Sequence, residues 1–263
     1  MSQTFGKLFP FVVVLLFPLF SGCESSGPVK PRTQSDSELL LSIISNRDLN
    51  QTHTIARVQT EGSTNRSADV LLDSEIIPYR VFLTPPDSLY YKSFNNFRRY
   101  LPGLLDFSFD DNEGNTLDIN IPSVDSFTIT DIAPGSRIAN GNQPVVISWS
   151  GASGASNYVL AAVRRPLKYT GAGYSQFVTS GTTSETLNQA AFFQTDGVNP
   201  DTGWYDLYVY AIAASPDSLT TRKVLPVPLP DEFGQNLALT NLTGRYGFVS
   251  VSRRDSVRIA IQP

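Results

Sequence analysis

Histidine and cysteine, on which nucleophilic catalysis often depends, are scarce in this chain. It contains one histidine, His53, and one cysteine, Cys23. A serine or cysteine nucleophile needs a neighbouring base, which is most often a histidine. His53 stands between two threonines in a predicted strand, where we interpret it as a strand residue beside neighbouring hydroxyls. A Gly-x-Ser-x-Gly elbow is also missing, because GYSQF at 173–177 lacks the second glycine.

The sequence does not indicate a bound metal or nucleotide. One histidine and one cysteine are too few for the usual zinc ligand sets. The glycines of SGASGASN at 150–157 lie between predicted strands, without the lysine and helix of a phosphate-binding loop. We therefore expect no cofactor and no enzymatic activity.

Carboxylates are the remaining candidates for chemistry. The densest acidic cluster comprises Asp106, Asp110, Asp111, Glu113 and Asp118. The run Asp110-x-Asn112-x-Gly114 is similar to half a calcium loop, but glycine occupies the third ligand position and no distal glutamate follows. We interpret the segment as a solvated hairpin turn. A weak calcium site and the acid–base pair of a carboxylate-based hydrolase are the alternatives.

Arginine pairs and one aromatic segment are the candidate contact residues for a ligand. The pairs are Arg98-Arg99, Arg164-Arg165 and Arg253-Arg254. We interpret them as charged strand ends that discourage edge pairing, because adjacent strand residues face opposite sides. Contact with lipid A phosphates or an acidic glycan is the alternative. The segment YYKSFNNFRRY at 90–100 is interpreted as core packing with a covered loop, or alternatively as a surface that stacks on sugars or a protein.

Composition predicts an all-β chain. Eighteen glycines and eighteen prolines punctuate short apolar runs, and sixteen phenylalanines and eleven tyrosines favour strands. The run 35–45 fits a capped helix or a strand, and the turn-like residues that follow favour the strand. A net charge of −4 gives no support for nucleic-acid binding. The other predicted strands span 52–58, 68–72, 76–83, 104–109, 117–121, 127–132, 145–149, 158–163, 205–211, 246–251 and 256–261.

The first residues predict export and a lipid anchor. An apolar run from Leu8 to Phe20 follows Lys7 and is shorter than the roughly 20 helical residues that cross a membrane. Residues 20–23, FSGC, are similar to the lipobox of bacterial lipoproteins, with Phe20 where leucine is usual. This resemblance implies cleavage after residue 22 and acylation of Cys23. An ordinary secretory signal with a chance cysteine is the alternative.

The resemblance to a lipoprotein also implies where the protein resides. Residues 23–38 are predicted to be a polar, flexible tether that links acyl chains in the membrane to the folded part. We expect a location in the bacterial cell envelope, at the outer rather than the inner membrane, facing the periplasm or the exterior.

Two segments of the second half resemble a fibronectin type III domain. They are PVVISWSGASGASNYVLAAV at 144–163 and GWYDLYVYAIA at 203–213. Trp149 matches the core tryptophan of that family's strand B, Tyr158 the tyrosine that opens strand C, and Tyr205 the start of strand F. The resemblance implies a fold and no activity. We also predict a C-terminal hairpin around residues 253–255, which would complete this sandwich or cover an edge of the first.

The fold class expected is two immunoglobulin-like antiparallel β-sandwiches. The predicted divisions are a signal peptide at 1–22, the tether at 23–38, a first sandwich at 39–122 and the fibronectin type III-like sandwich at 123–263. The first sandwich contains a strand-turn-strand start, the run ADVLLDSEIIPYR at 68–80 and a strand pair that ends in IPSVDSF at 121–127. By these features it is loosely similar to the leading domain of surface lipoproteins of Bacteroidota-type bacteria. We expect a non-catalytic module that binds or scaffolds a protein; polysaccharide binding through 90–100 is the alternative, and a carboxylate-based hydrolase is the contrasting class.

Overall fold

The structure is a computed structural model and describes residues 36–46, 48, 50–83, 86–94, 103–132, 137–139, 145–165, 173–179, 181–187, 189–192, 202–214 and 233–260. Most of these residues are in strands, and a 3-10 turn lies at Gln189–Phe192. Among them, no helix has the length and apolar character needed to span a membrane.

The strands are numbered in chain order. The first nine are β1 (Ser37–Asn46), β2 (Gln51–Thr60), β3 (Ser63–Thr64), β4 (Asp69–Leu72), β5 (Glu75–Ile76), β6 (Tyr79–Leu83), β7 (Pro86–Phe94), β8 (Leu104–Asp110) and β9 (Thr116–Pro122). The others are β10 (Arg137–Ala139), β11 (Val145–Ser148), β12 (Asn157–Arg165), β13 (Gly173–Thr179), β14 (Ser184–Leu187), β15 (Gly203–Ile212), β16 (Leu237–Leu239) and β17 (Leu242–Ala260).

Three sheets account for these strands. The largest has eleven strands in the order β13-β12-β15-β17-β1-β2-β7-β6, with β10 and β16 paired to β17 and β3 to β2. A four-stranded sheet has the order β5-β4-β8-β9, and β11 pairs with β14.

The strands β1, β2, β7 and β6 pack against the four-stranded sheet. Alternate residues of β1, namely Leu39, Leu41 and Ile43, are fully buried in the core that also contains Phe107 and Phe109 of β8. Because neighbouring strand residues point to opposite faces, this alternation places one face of β1 between the sheets. The strand interpretation of residues 35–45 is therefore confirmed, and the helix is not formed.

The other strands form an immunoglobulin-like sandwich. A bridge from Ile129 to Trp149 and the β11–β14 pair make one layer, and β13, β12, β15 and β17 make the other. Trp149 and Tyr158 are buried between the layers with ring centroids 5.2 Å apart, and Tyr205 is buried in the same core. The expected all-β, immunoglobulin-like fold is confirmed.

The C-terminal residues form one long strand, so the predicted hairpin around 253–255 is wrong. β17 pairs parallel with β1 from Leu242 to Val251, and antiparallel with β15 over its second half. The turn-like polar residues are accommodated by a register shift opposite Tyr205 and Leu207, which is a β-bulge. β17 thus completes the immunoglobulin-like sheet and also covers the edge of β1.

The large sheet is buried on both faces around β12, β15 and β17. A second buried cluster lies on the face opposite the main core and includes Ile44, Val159, Tyr210, Phe233 and Val249. Burial on both faces explains why β12 and β15 have nearly continuous apolar runs instead of alternating ones.

Two strand predictions need correction. The predicted strand 76–83 is divided between β5 and β6, which belong to different sheets, and Pro78 lies at the break. Residues 127–132 make an isolated bridge at Ile129 instead of a regular strand. The domain limits 39–122 and 123–263 stay predictions, while the large sheet continues across them.

Candidate functional site

The most exposed apolar strand among the described residues is β6, which ends the large sheet. It pairs with β7 on one side, and no other described strand lies on its outer side. Pro78 precedes the strand, and the connection to β7 is short, with Leu83 paired to Pro86. We call residues 79–83 the β6 edge. An uncovered edge strand offers its backbone groups to another chain.

One hydrogen bond fixes which backbone groups of the β6 edge face outward. The amide of Tyr91 donates to the carbonyl oxygen of Pro78 over 2.9 Å. Bonded pairs alternate along an antiparallel ladder, so Arg80 and Phe82 point their N–H and C=O groups towards β7. The N–H and C=O groups of Tyr79, Val81 and Leu83 consequently point away from the sheet.

The same three residues carry apolar side chains on one face of the strand. Val81 is 65% exposed and Leu83 is 86% exposed. Tyr79 is anchored in the core, where its ring meets the buried ring of Tyr90 edge-on at 5.3 Å. The edge is therefore fixed at its first residue and uncovered at its centre and end.

An aromatic cluster supports the opposite face of the edge. The ring of Tyr91 meets Phe82 edge-on at 5.3 Å and stacks against His53 at 5.9 Å. His53 Nδ1 lies 2.9 Å from the Tyr91 hydroxyl, and its Nε2 lies 3.3 Å from Gln51 Oε1. Burial lowers the pKa of His53 below its usual value. These contacts give His53 a packing role that holds β2 against β7.

The acidic cluster is divided between a buried turn and an exposed sheet face. The carboxylate of Asp111 is buried and accepts hydrogen bonds from Ser37, Asn115 and the amide of Glu113. Asp110 accepts from the amide of Asn112 over 2.7 Å, as in an Asx turn. The structure thus has a turn here as predicted, but the turn is not solvated as expected, because Asp111 is fully buried and its oxygens accept internal hydrogen bonds.

Asp106 and Asp118 line a shallow, open depression of about 290 Å³ on the outer face of β8 and β9, beside Ser108. In the part of the chain that the structure describes, no group of three or more His, Cys, Asp or Glu side chains is placed to hold a metal ion.

The two arginines of the pair Arg164-Arg165 contact different partners. Arg165 makes a two-point ion pair with Asp206, with N–O distances of 2.8 and 2.7 Å. Arg164 donates to the carbonyl oxygen of Thr202 over 3.1 Å. The two guanidinium groups hold neighbouring strand ends, so they do not form one cationic patch.

The second described pair is divided in the same way. Arg253 approaches Asp206 at 3.7 Å, and Arg254 donates to the carbonyl oxygen of Ile129. Both arginines therefore have intramolecular partners on opposite sides of β17.

The aromatic segment 90–100 is described only in its first part. Tyr90 points into the core, whereas Tyr91 lies on the opposite face of β7. The described rings therefore do not make a coplanar platform. Arg98, Arg99, Phe97 and Tyr100 lie outside the described residues, as do Cys23 and the predicted signal peptide.

The β6 edge was not identified from the sequence. A signal was present, since Tyr79, Val81 and Leu83 alternate between Pro78 and the prolines at 85 and 86. Proline in sheets favours edge strands and strand ends. A short alternating run between prolines therefore indicates an edge.

No family model and no curated protein matches this chain. The fibronectin(III)-like modules of Clostridium thermocellum CbhA align at 11% identity over 85% of this chain and 94% of that one, with a TM-score of 0.23. The IG1 and IG2 domains of DIP-gamma align at 9% identity over 86% and 99%, also with a TM-score of 0.23. The immunoglobulin-like assignment therefore depends on the strand pairing described above.

Proposed function

We propose that this chain is a non-catalytic, lipid-anchored module of the bacterial cell envelope that binds a protein partner at the β6 edge. The observation that carries the proposal is the outward hydrogen-bonding face of Tyr79, Val81 and Leu83, combined with the exposed side chains of the last two. An extended segment of a partner that adds to this edge forms backbone hydrogen bonds and covers the apolar side chains.

The chemistry of the described residues supports binding over catalysis. His53 is used in packing, and the two described arginine pairs and Asp111 are used in internal contacts. At the β6 edge, Tyr79 meets Tyr90 edge-on and Phe82 meets Tyr91 edge-on, so these rings do not form the flat platform on which a sugar would stack. A protein partner is therefore preferred over a polysaccharide.

The anchor is proposed from the sequence alone. Acylation of Cys23 would hold the chain on a membrane, because two or three acyl chains each contribute about 0.8 kcal/mol per buried methylene. The tether at 23–38 would then separate the sandwiches from the bilayer, at the outer membrane in our proposal. Mass spectrometry of the native protein tests this: we expect an acylated N-terminal cysteine, and a free thiol with the leader still attached would contradict it.

The binding proposal is tested by placing a photo-crosslinking residue at Leu83 in intact cells. We expect a discrete protein adduct that mass spectrometry can identify. The matched control carries the crosslinker at Leu104, which is an exposed apolar position on a different sheet. Adding Val81→Pro should abolish the adduct, because proline removes an outward N–H group without removing a bond to β7. Equal adducts at both positions, or none at Leu83, would contradict the proposal.

A further inference from the structure

The β6 edge is complementary to itself. If a second copy of β6 lies antiparallel about a two-fold axis through Val81, each Val81 faces its counterpart and each Tyr79 faces a Leu83. These are the three residues whose backbone groups point outward, so the pairs exchange about six hydrogen bonds, two for each pair. Backbone and side chains thus select the same register.

The side chains of this register are compatible on both faces. On the face shared by Tyr79, Val81 and Leu83, every pair is apolar, and the two exposed residues of each copy become covered. On the other face, Arg80 lies opposite Phe82 of the second copy, which places a cation beside an aromatic ring. The two Arg80 side chains are not paired directly, so like charges do not oppose one another.

The length of the strand also limits how the copies pair. Pro78 lacks an N–H group, and prolines at 85 and 86 follow the strand. A register shifted by one residue would require the N–H and C=O groups of Arg80 and Phe82 to bond to the second copy. Those groups already face β7, so this register is not available. The five residues of β6 therefore favour the register centred on Val81.

We propose that the partner at the β6 edge is a second copy of this chain, joined through antiparallel β6–β6 pairing centred on Val81. This inference depends on the proposed function, since it identifies the partner of the same edge. The result is a closed dimer with one continuous sheet running through both copies.

Charged substitutions at Val81 test the inference with the full-length protein. Two copies with different affinity tags are produced together, solubilised in mild detergent, and one is captured. We expect wild-type copies to be captured together, and Val81→Lys in both copies to lower capture by about tenfold, because two like charges then face each other. Pairing Val81→Lys with Val81→Glu should restore capture, since the two positions are opposite only in the register proposed here.

The control is Leu104→Lys in both copies, because Leu104 and Val81 are each 65% exposed. This variant should be captured as the wild type is. Three results would overturn the inference: wild-type copies that are not captured together, lysine copies captured as well as wild-type copies, or no restoration by the Lys–Glu pair.

The test separates this inference from the proposed function. An adduct at Leu83 with a different protein, together with wild-type copies that are not captured, overturns the second copy as partner and leaves the binding module supported. An absence of both adduct and capture overturns both proposals.

Discussion

The carboxylate of Asp111 is the clearest case of an acidic residue used for structure. It is fully buried and accepts hydrogen bonds from the Ser37 hydroxyl at 2.6 Å, the Glu113 amide at 2.7 Å and the Asn115 amide at 2.9 Å. Burial alone would raise the pKa of Asp111. These hydrogen bonds, together with the one from the Asn115 side chain, lower it by a larger amount, so the pKa lies below its usual value. Asp111 thereby ties the β8–β9 turn to the start of β1.

Replacing Asp111 by asparagine should lower the free energy of unfolding by about 2–3 kcal/mol at pH 7, because buried donors lose a charged acceptor. A carboxyl whose pKa is lowered in the folded state stabilises the fold above its unfolded pKa and loses this effect as the pH falls through the folded value. The difference between wild type and variant should therefore persist at pH 5 and shrink below about pH 4. Urea unfolding across this range measures it.

Asp118→Asn is the control for this experiment, because that side chain is exposed on the outer face of β9. A variant of Asp111 as stable as the wild type at pH 7 would show that the buried contacts contribute little.

The C-terminal strand is the element on which the sheet depends most. β17 is the strand between β15 and β1, and its Gly244 is paired with Leu39 of β1. A β-carbon on Gly244, whose φ is +157°, would overlap the carbonyl oxygen of Leu39. The parallel pairing of β1 and β17 therefore requires glycine at this position.

Gly244→Ala should destabilise the protein by about 2–4 kcal/mol, because one strand must move away from the other. Gly151→Ala is the matched control, since its β-carbon would meet only the Thr183 side chain at 3.9 Å. This control should change stability by less than about 0.5 kcal/mol. Thermal unfolding followed by circular dichroism compares them, and equal stability of the two variants would contradict the close approach.

At the scale of the whole molecule, the sequence predicted the strand class and much of the core. Alternating or continuous apolar runs identified β1, β2, β8, β9, β12 and β15, and Trp149 and Tyr158 occupy the predicted core positions. Hydrophobic periodicity is a local property of the sequence. Strands in which it is strong can therefore be identified without knowing which strands they pair with.

Features that depend on distant pairing were not predicted. Residues 90–94 of β7 were interpreted as core packing with a covered loop and not as a strand, because the pairing of β7 with β2 and β6 joins separate segments. The continuous β17 requires β1 as a partner, which lies about 200 residues earlier in the chain. The openness of the β6 edge likewise follows from which strands lie beside it.

The shared sheet predicts that the two halves of the chain unfold together. Phe107→Ala removes a buried side chain between β4 and β9 and should cost about 3–5 kcal/mol. Both tryptophans, Trp149 and Trp204, lie in the other sandwich. In Phe107→Ala, the unfolding midpoint measured by tryptophan fluorescence should nevertheless decrease together with the midpoint measured by circular dichroism.

Leu104→Ala, an exposed change on the same strand, should leave both midpoints within a few degrees of the wild type. A fluorescence midpoint that Phe107→Ala does not change would show that the sandwiches unfold independently.

Residue-resolved amide hydrogen exchange along β6 tests the central claim, an open edge that binds a partner, most directly. In the dilute monomer, the amides of Arg80 and Phe82 should exchange slowly, because they face β7, and those of Tyr79, Val81 and Leu83 should exchange rapidly. When the partner is bound, all five should exchange slowly. Slow exchange at Val81 in the dilute monomer, or unchanged exchange on binding, would contradict the account.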